Sequence, residues 1–182
     1  YLERETKRLR NPKMKIPFVP TSVSEKIQEV IHACHLDGEI GMIIGDSGLG
    51  KTMACRDYAE KNQDSILIEV DDRCAKKTLL FRKLHKVLGM SGEGKPDEIL
   101  GDIIDRLKDS GRTLILDEAE NLPVRSLEAV RRIWDFTGIG IVMVGMPQLL
   151  ANLRGKRGQY KQLYSRIFIP CKLDLSLIHI SE

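Results

Sequence analysis

Gly45-Asp46-Ser47-Gly48-Leu49-Gly50-Lys51-Thr52 reads G-x-x-x-x-G-K-[ST] in full. Each residue type at that spacing has a chemical use. The three glycines let the backbone turn so that its N–H groups face inward around an anion. Lys51 supplies a cation that reaches terminal phosphates, and the Thr52 hydroxyl is a ligand for Mg²⁺. The octet, with Met53 after it, therefore implies a cradle for ATP and Mg²⁺. A second candidate pair is Asp117-Glu118, which follows the apolar run Leu114-Ile115-Leu116. Asp117 can hold Mg²⁺ through a water molecule. Glu118 can orient and deprotonate an attacking water. Acids are common at helix starts, so this pair gains its weight from the octet upstream.

Both sets need a scaffold that brings them to one edge. Ile40–Ile44 predicts a short apolar strand running into Gly45, and Lys51–Lys61 a helix whose positive end faces the phosphates. Ser22-Val23-Ser24-Glu25 reads as a capping box, opening a helix with Val23, Ile27, Val30, Ile31 and Cys34 on one face. Further strands are expected at 65–70, 113–116, 139–144 and 168–173. Helices are expected at 77–88, from Pro96 with its apolar stripe Ile99, Leu100, Ile103, Ile104 and Leu107, at 125–136, at 147–153 and at 159–164. Asp117 and Glu118 then end a strand buried on both faces. Strands alternating with helices predict an α/β fold with a parallel sheet and right-handed crossovers.

The chain has 182 residues, suited to one domain, with 42% hydrophobic and 30% charged residues. That composition excludes global disorder. The net charge of +3 is uninformative, but its distribution is not. Residues 1–15, 73–86 and 154–172 each hold six Lys or Arg, and the last two runs contain no acid. Three such runs on a nearly neutral chain point to a polyanion partner. Cys34, Cys55, Cys74 and Cys171 show no metal-ligand spacing and no disulfide framework, as expected of buried thiols in a reducing cytoplasm. No apolar run approaches eighteen residues, so no membrane span is expected. His32, His35 and His85 have no ligand spacing and read as ordinary surface or satisfied residues. Trp134 reads as core rather than as a base-stacking platform.

The two motifs, their separation and the closing helix–loop–strand resemble an AAA+ P-loop NTPase module over roughly residues 16–174. Asp117-Glu118-Ala119-Glu120-Asn121-Leu122 and Val144-Gly145-Met146-Pro147-Gln148-Leu149-Leu150 resemble more closely the transposition ATPases similar to the phage Mu B protein. The resemblance implies an AAA+ large subdomain, a five-stranded parallel sheet of order 5-1-4-3-2. It implies ATP hydrolysis, assembly into a ring or helical filament on double-stranded DNA, choice of a target site and stimulation of a transposase. The expected organisation is a basic arm (1–20), an ATPase core (21–174) and a tail (175–182). The tail's Ser176–Ser181 is similar to translated sequencing-adapter read-through. The family's helical lid is essentially missing, so the chain is expected to be a fragment.

The resemblance also implies an arginine that reaches a neighbour's nucleotide just before the fifth strand. Arg166 is the first candidate, with Arg157 and Arg154 as alternatives. Loops after the second strand touch DNA in that family, which nominates Lys76, Lys77 and Thr78. Many AAA+ modules carry a polar sensor after the fourth strand, where this chain has Gly145 and Met146. Either Gln148 or backbone groups sense the phosphate, or hydrolysis is slow. Competing readings are a helicase loader, a protein-remodelling unfoldase and a non-enzymatic nucleotide-gated module. The unfoldase reading lacks its aromatic–hydrophobic–Gly loop between Asp71 and Gly89, and intact Lys51, Asp117 and Glu118 oppose permanent inactivity.

Overall fold

Ile40–Ile44 (β1), Thr113–Asp117 (β3) and Gly140–Gly145 (β4) are buried at every position. A strand with no exposed face needs helices on both sides and partners on both edges. The computed structural model, which describes residues 18–71, 77–154 and 165–173, supplies both. The remaining elements are α1 (Ser22–Asp37), α2 (Lys51–Lys61), β2 (Ser65–Glu69), α3 (Lys77–Val87), α4 (Pro96–Leu107), a 3-10 turn at Ala119–Asn121, α5 (Val124–Thr137), α6 (Pro147–Arg154) and β5 (Ile167–Lys172). Every strand pairing is parallel, and the order is β2-β3-β4-β1-β5. This is the 5-1-4-3-2 sheet that the resemblance implied.

Side chains alternate between two cores, as strand geometry requires. Met42, Ile44, Leu114, Leu116, Ile141 and Met143 pack with α3, α4, α5 and α6. Ile43, Ile115, Val142 and Val144 pack with α1 and α2. The sheet is thus the middle of three layers. Strand and helix bounds fall within a residue or two of those expected, the usual fraying of element ends. The helix expected at 159–164 lies outside the described residues, as does Cys74. Cys34, Cys55 and Cys171 are buried free thiols, and burial together with Glu39 and Asp37 pushes Cys34 up to about 12. No described helix is long and apolar enough to cross a membrane.

One local reading needs adjustment. The capping box of α1 sits one residue earlier than expected. Thr21 is the N-cap, its Oγ1 accepts the Ser24 N–H at 3.1 Å, and Ser24 Oγ accepts the Thr21 N–H at 2.8 Å. Ser24 is buried beside Val23, so it serves as the returning member of the box in place of the exposed Glu25. His85 is a core residue, 3% exposed, and belongs to the satisfied class. Its Nδ1 accepts the Gly92 N–H at 2.9 Å, which leaves Nε2–H to donate to Asp102 at 3.2 Å. It therefore ties α3 to the loop before α4. His85→Leu is expected to keep the volume and strand the Gly92 N–H, costing about 1–3 kcal/mol. Urea unfolding would show this as a lower midpoint at unchanged slope. A parental midpoint would mean that the bond is dispensable.

Candidate functional site: a phosphate loop and a carboxylate pair at one sheet edge

β1 runs directly into the glycine loop, and the loop is fitted to its neighbours. Gly45 donates its N–H to the Gly145 carbonyl at 3.1 Å, prolonging the β1–β4 ladder. A Cβ on Gly45 would stand 2.8 Å from Leu49 Cδ1 and 2.9 Å from Leu173 Cβ, so only glycine fits there. Gly48 and Gly50 have φ of +85° and +79°, the left-handed region that glycine enters at least cost. Leu49 is buried and anchors the loop to the smaller core, while Asp46, Ser47 and Gly48 are exposed. Gly50 is the N-cap of α2 and no side chain caps that end, so the free N–H groups of the first turn lie at the loop.

Lys51 is 9% exposed. Its ammonium donates to the carbonyls of Gly45 at 2.8 Å and Asp46 at 2.7 Å, across the base of the loop. Thr52 is half-buried and Met53 is exposed. One turn further along α2, Cys55 is fully buried. Burial pushes its thiol well up, Asp117 adds to the effect, and Lys51 opposes it. Lys51 and Asp117 thus act on the same buried atom from the two halves of the site.

The second half lies two strands away. With β4 between β1 and β3, Asp117 and Gly45 are two strand spacings apart, about 10 Å. Asp117 is 1% exposed. Its Oδ1 accepts the Glu118 N–H at 3.0 Å, whereas Oδ2 is buried with no hydrogen-bond partner among the described residues. An ionised oxygen buried without a donor is expensive, and a cation or a cation's water would relieve it. Asp117 and Thr52 therefore fit a Mg²⁺ site in donor type and burial. Glu118 is exposed and adopts φ +56°, ψ 37°, which turns the chain from β3 into the 3-10 turn.

The remaining candidates are dispersed. Arg166 precedes Ile167, which pairs with Ile40 at the start of β1. It is exposed, and its guanidinium carbon is 5.7 Å from the centroid of the Trp134 ring. The phosphate loop is at the other end of β1, about 17 Å along the strand. Trp134 itself is half-buried against the larger core, and its indole N–H donates to the Gly38 carbonyl at 2.7 Å. Lys77 opens α3, its side chain lying outside the described residues with Lys76, and Thr78 is half-buried in the first turn. Arg154 ends α6 and Arg157 lies outside the described residues. Gln148 donates to Asn152 Oδ1 at 2.9 Å and is thus engaged along α6.

One residue at this edge had no role assigned from the sequence. The Glu120 carboxylate accepts the Met146 N–H at 3.2 Å and lies against Gly145. Its signals were its place within the acidic Asp117–Glu120 segment and within the Asp117–Leu122 run that carries the family resemblance.

A family profile described as AAA domain matches residues 35–153. The Mu-like prophage FluMu DNA transposition protein B of Haemophilus influenzae is 26% identical over 171 residues, 92% of this chain and 60% of that protein. The ATP-dependent target DNA activator B of Escherichia phage Mu is 29% identical over 153 residues, 82% of this chain and 49% of that protein. The chain spans about half the length of these curated relatives (60% and 49%). The solved structure of the Aeropyrum pernix ORC2 protein in ADPNP–ADP complexes is similar with a TM-score of 0.62 at 18% identity, covering 87% of this chain and 50% of that chain. That likeness shows a shared fold.

Proposed function

The chain belongs to the AAA domain family, and we propose that it is an ATP-dependent DNA-binding regulator of DNA transposition that binds and hydrolyses ATP, selects target DNA and stimulates a transposase. One observation carries this reading. An intact phosphate loop meets Asp117 and Glu118 at one sheet edge, in a chain related over 82% of its length to a protein named as an ATP-dependent target DNA activator.

In this reading the loop N–H groups from Gly45 to Thr52 and the start of α2 hold the phosphates. Lys51 exchanges its two carbonyl partners for phosphate oxygens. Met53 lies beside the nucleotide. Thr52 Oγ1 and Asp117 Oδ2, which has no partner among the described residues, would hold Mg²⁺, the latter through water. Mg²⁺, when bound, neutralises charge that develops on the phosphate oxygens. Glu118 takes a proton from the attacking water and so aligns it for in-line displacement. Arg166 acts in an assembled ring or filament, since its own loop lies at the opposite edge of the sheet.

DNA contact falls to Lys76, Lys77 and Thr78 together with the other unbalanced cations. Phe, Trp and Tyr make up only 5% of the chain, so phosphate contact rather than base stacking should dominate. Binding is expected to require ATP, because only an assembly lines up these segments along one DNA backbone. It is expected to fall steeply with salt and to vary little between sequences. The experiment is a salt titration on two unrelated duplexes with a slowly hydrolysed ATP analogue. Replacing Lys76 and Lys77 together by Ala should weaken binding on both and flatten the slope by about one unit for each phosphate that is no longer neutralised. Salt-insensitive binding would sink the DNA reading, and an unchanged slope would return the two lysines to a solvated face.

A further inference from the structure

Glu118 stands in a backbone conformation that a non-glycine residue keeps only where its surroundings over-determine it. Its neighbours supply the determinants. Asp117 Oδ1 accepts the Glu118 N–H, the Glu118 carbonyl accepts the Asn121 N–H at 3.0 Å, and Asn121 Nδ2 donates to the Val70 carbonyl at 3.2 Å. These bonds tie the turn to β3 and to the end of β2. What ties it to β4, and through β4 to the phosphate loop, is Glu120.

That tie is steric as well as polar. A Cβ built on Gly145 would lie 2.3 Å from Glu120 Oε2 and 3.4 Å from its Cδ. The same oxygen accepts the Met146 N–H. The Glu120 carbonyl accepts Asn152 Nδ2 at 2.9 Å, and Asn152 Oδ1 holds Gln148. The Gly145 carbonyl in turn accepts the Gly45 N–H. A continuous set of bonds thus runs from α6 through Glu120 to the Glu118 turn, and from the same strand end into the phosphate loop. Gly145 has no positive φ, and a Cβ there would displace the Glu120 carboxylate from the Met146 N–H while touching the Glu120 backbone N at 3.4 Å.

We propose that Glu120 is a positioning residue for hydrolysis: its carboxylate fills the place of a side chain at position 145, clamps the end of β4 and sets Glu118 relative to the phosphate loop. This rests on the reading of Glu118 as the base. It also accounts for the glycine where a polar sensor was expected, because the polar group arrives from the 3-10 turn after β3.

The test uses the parent chain and Glu120→Ala, Glu120→Gln, Gly145→Ala and the double variant Glu120→Ala/Gly145→Ala, with Glu118→Gln as reference. Hydrolysis is measured with duplex DNA present. Glu120→Ala is expected to lower kcat roughly 10–100-fold with KM for ATP held, the scale of a small misplacement of a reacting group. Glu120→Gln should recover most of the loss, since an amide oxygen still accepts the Met146 N–H. Gly145→Ala should lower kcat although Glu120 is intact. A second readout needs no nucleotide: Gly145→Ala should lower the melting temperature of the parent chain and do so much less in the Glu120→Ala background. Parental kcat in Glu120→Ala beside an inactive Glu118→Gln, or additive melting shifts, would overturn the proposal while leaving the proposed function standing. A parent chain without hydrolysis, or a fully active Glu118→Gln, would overturn the function itself and the positioning role with it. Non-additive melting shifts would then still show the steric coupling.

Discussion

Glu118→Gln is expected to bind ATP like the parent chain and to hydrolyse it about 10²–10⁴-fold more slowly, the usual contribution of a positioned general base. The substitution is nearly isosteric. It leaves the Glu118 N–H bond to Asp117 Oδ1 and the carbonyl bond from Asn121 in place, because both use the backbone. It leaves Lys51, Thr52 and the buried Asp117 oxygen untouched, so the groups proposed to face phosphate and cation remain. The carboxylate's charge and its ability to take a proton are lost. Fluorescent-nucleotide binding and single-turnover phosphate release, measured on the same preparation, separate the two effects. Hydrolysis at the parental rate would mean that another group activates the water.

Arg166→Ala is expected to spare nucleotide binding by the isolated subunit and to lower hydrolysis by the assembly, by up to about 10³–10⁵-fold where a trans arginine is fully used. The geometry makes the distinction sharp. Parallel pairing of Ile167 with Ile40 fixes Arg166 at the amino edge of the sheet, a strand length from its own phosphate loop. It cannot serve its own site without unpairing β5. The stacking on Trp134 restrains the side chain yet leaves it exposed at that edge, where a neighbour could meet it. Lys51→Ala is the complementary variant. It removes the cation of the phosphate site and the donor that joins the Gly45 and Asp46 carbonyls, so nucleotide binding should be abolished or severely weakened. Mixing Arg166→Ala with Lys51→Ala subunits should restore part of the activity, since each supplies what the other lacks. Absence of rescue between two folded, co-assembling variants would rule out a shared site containing Arg166.

Much of this architecture could be read from neighbouring residues. The octet needs a strand before it and a helix after it, and Ile40–Ile44 and Lys51–Lys61 are both observed with those bounds. Asp117 ends a strand whose apolar run announced burial, and Pro96 with Asp97 and Glu98 marked the start of α4. The α1 cap misled by one residue because Thr21, Ser22 and Ser24 are all hydroxyl residues within hydrogen-bond reach of a helix start. Burial of Val23 and Ser24 chose between them, and burial is not a local property.

By itself the sequence determined which segments become strands and helices, and it nominated the glycine loop as a phosphate cradle, because those readings follow from periodicity, turn chemistry and the N–H groups such a loop exposes. Strand order entered through likeness to a family, and pairing alone put β4 between β1 and β3. The tertiary structure decided three things the residue spacing does not contain: that Asp117 keeps one buried oxygen without a donor among the described residues, that β5 beside β1 sets Arg166 a strand length from the glycine loop, and that Glu120 occupies the space of a side chain at Gly145. Each depends on residues distant in the chain becoming neighbours across a sheet, where a hydrogen bond or a steric contact is set by register rather than by sequence separation.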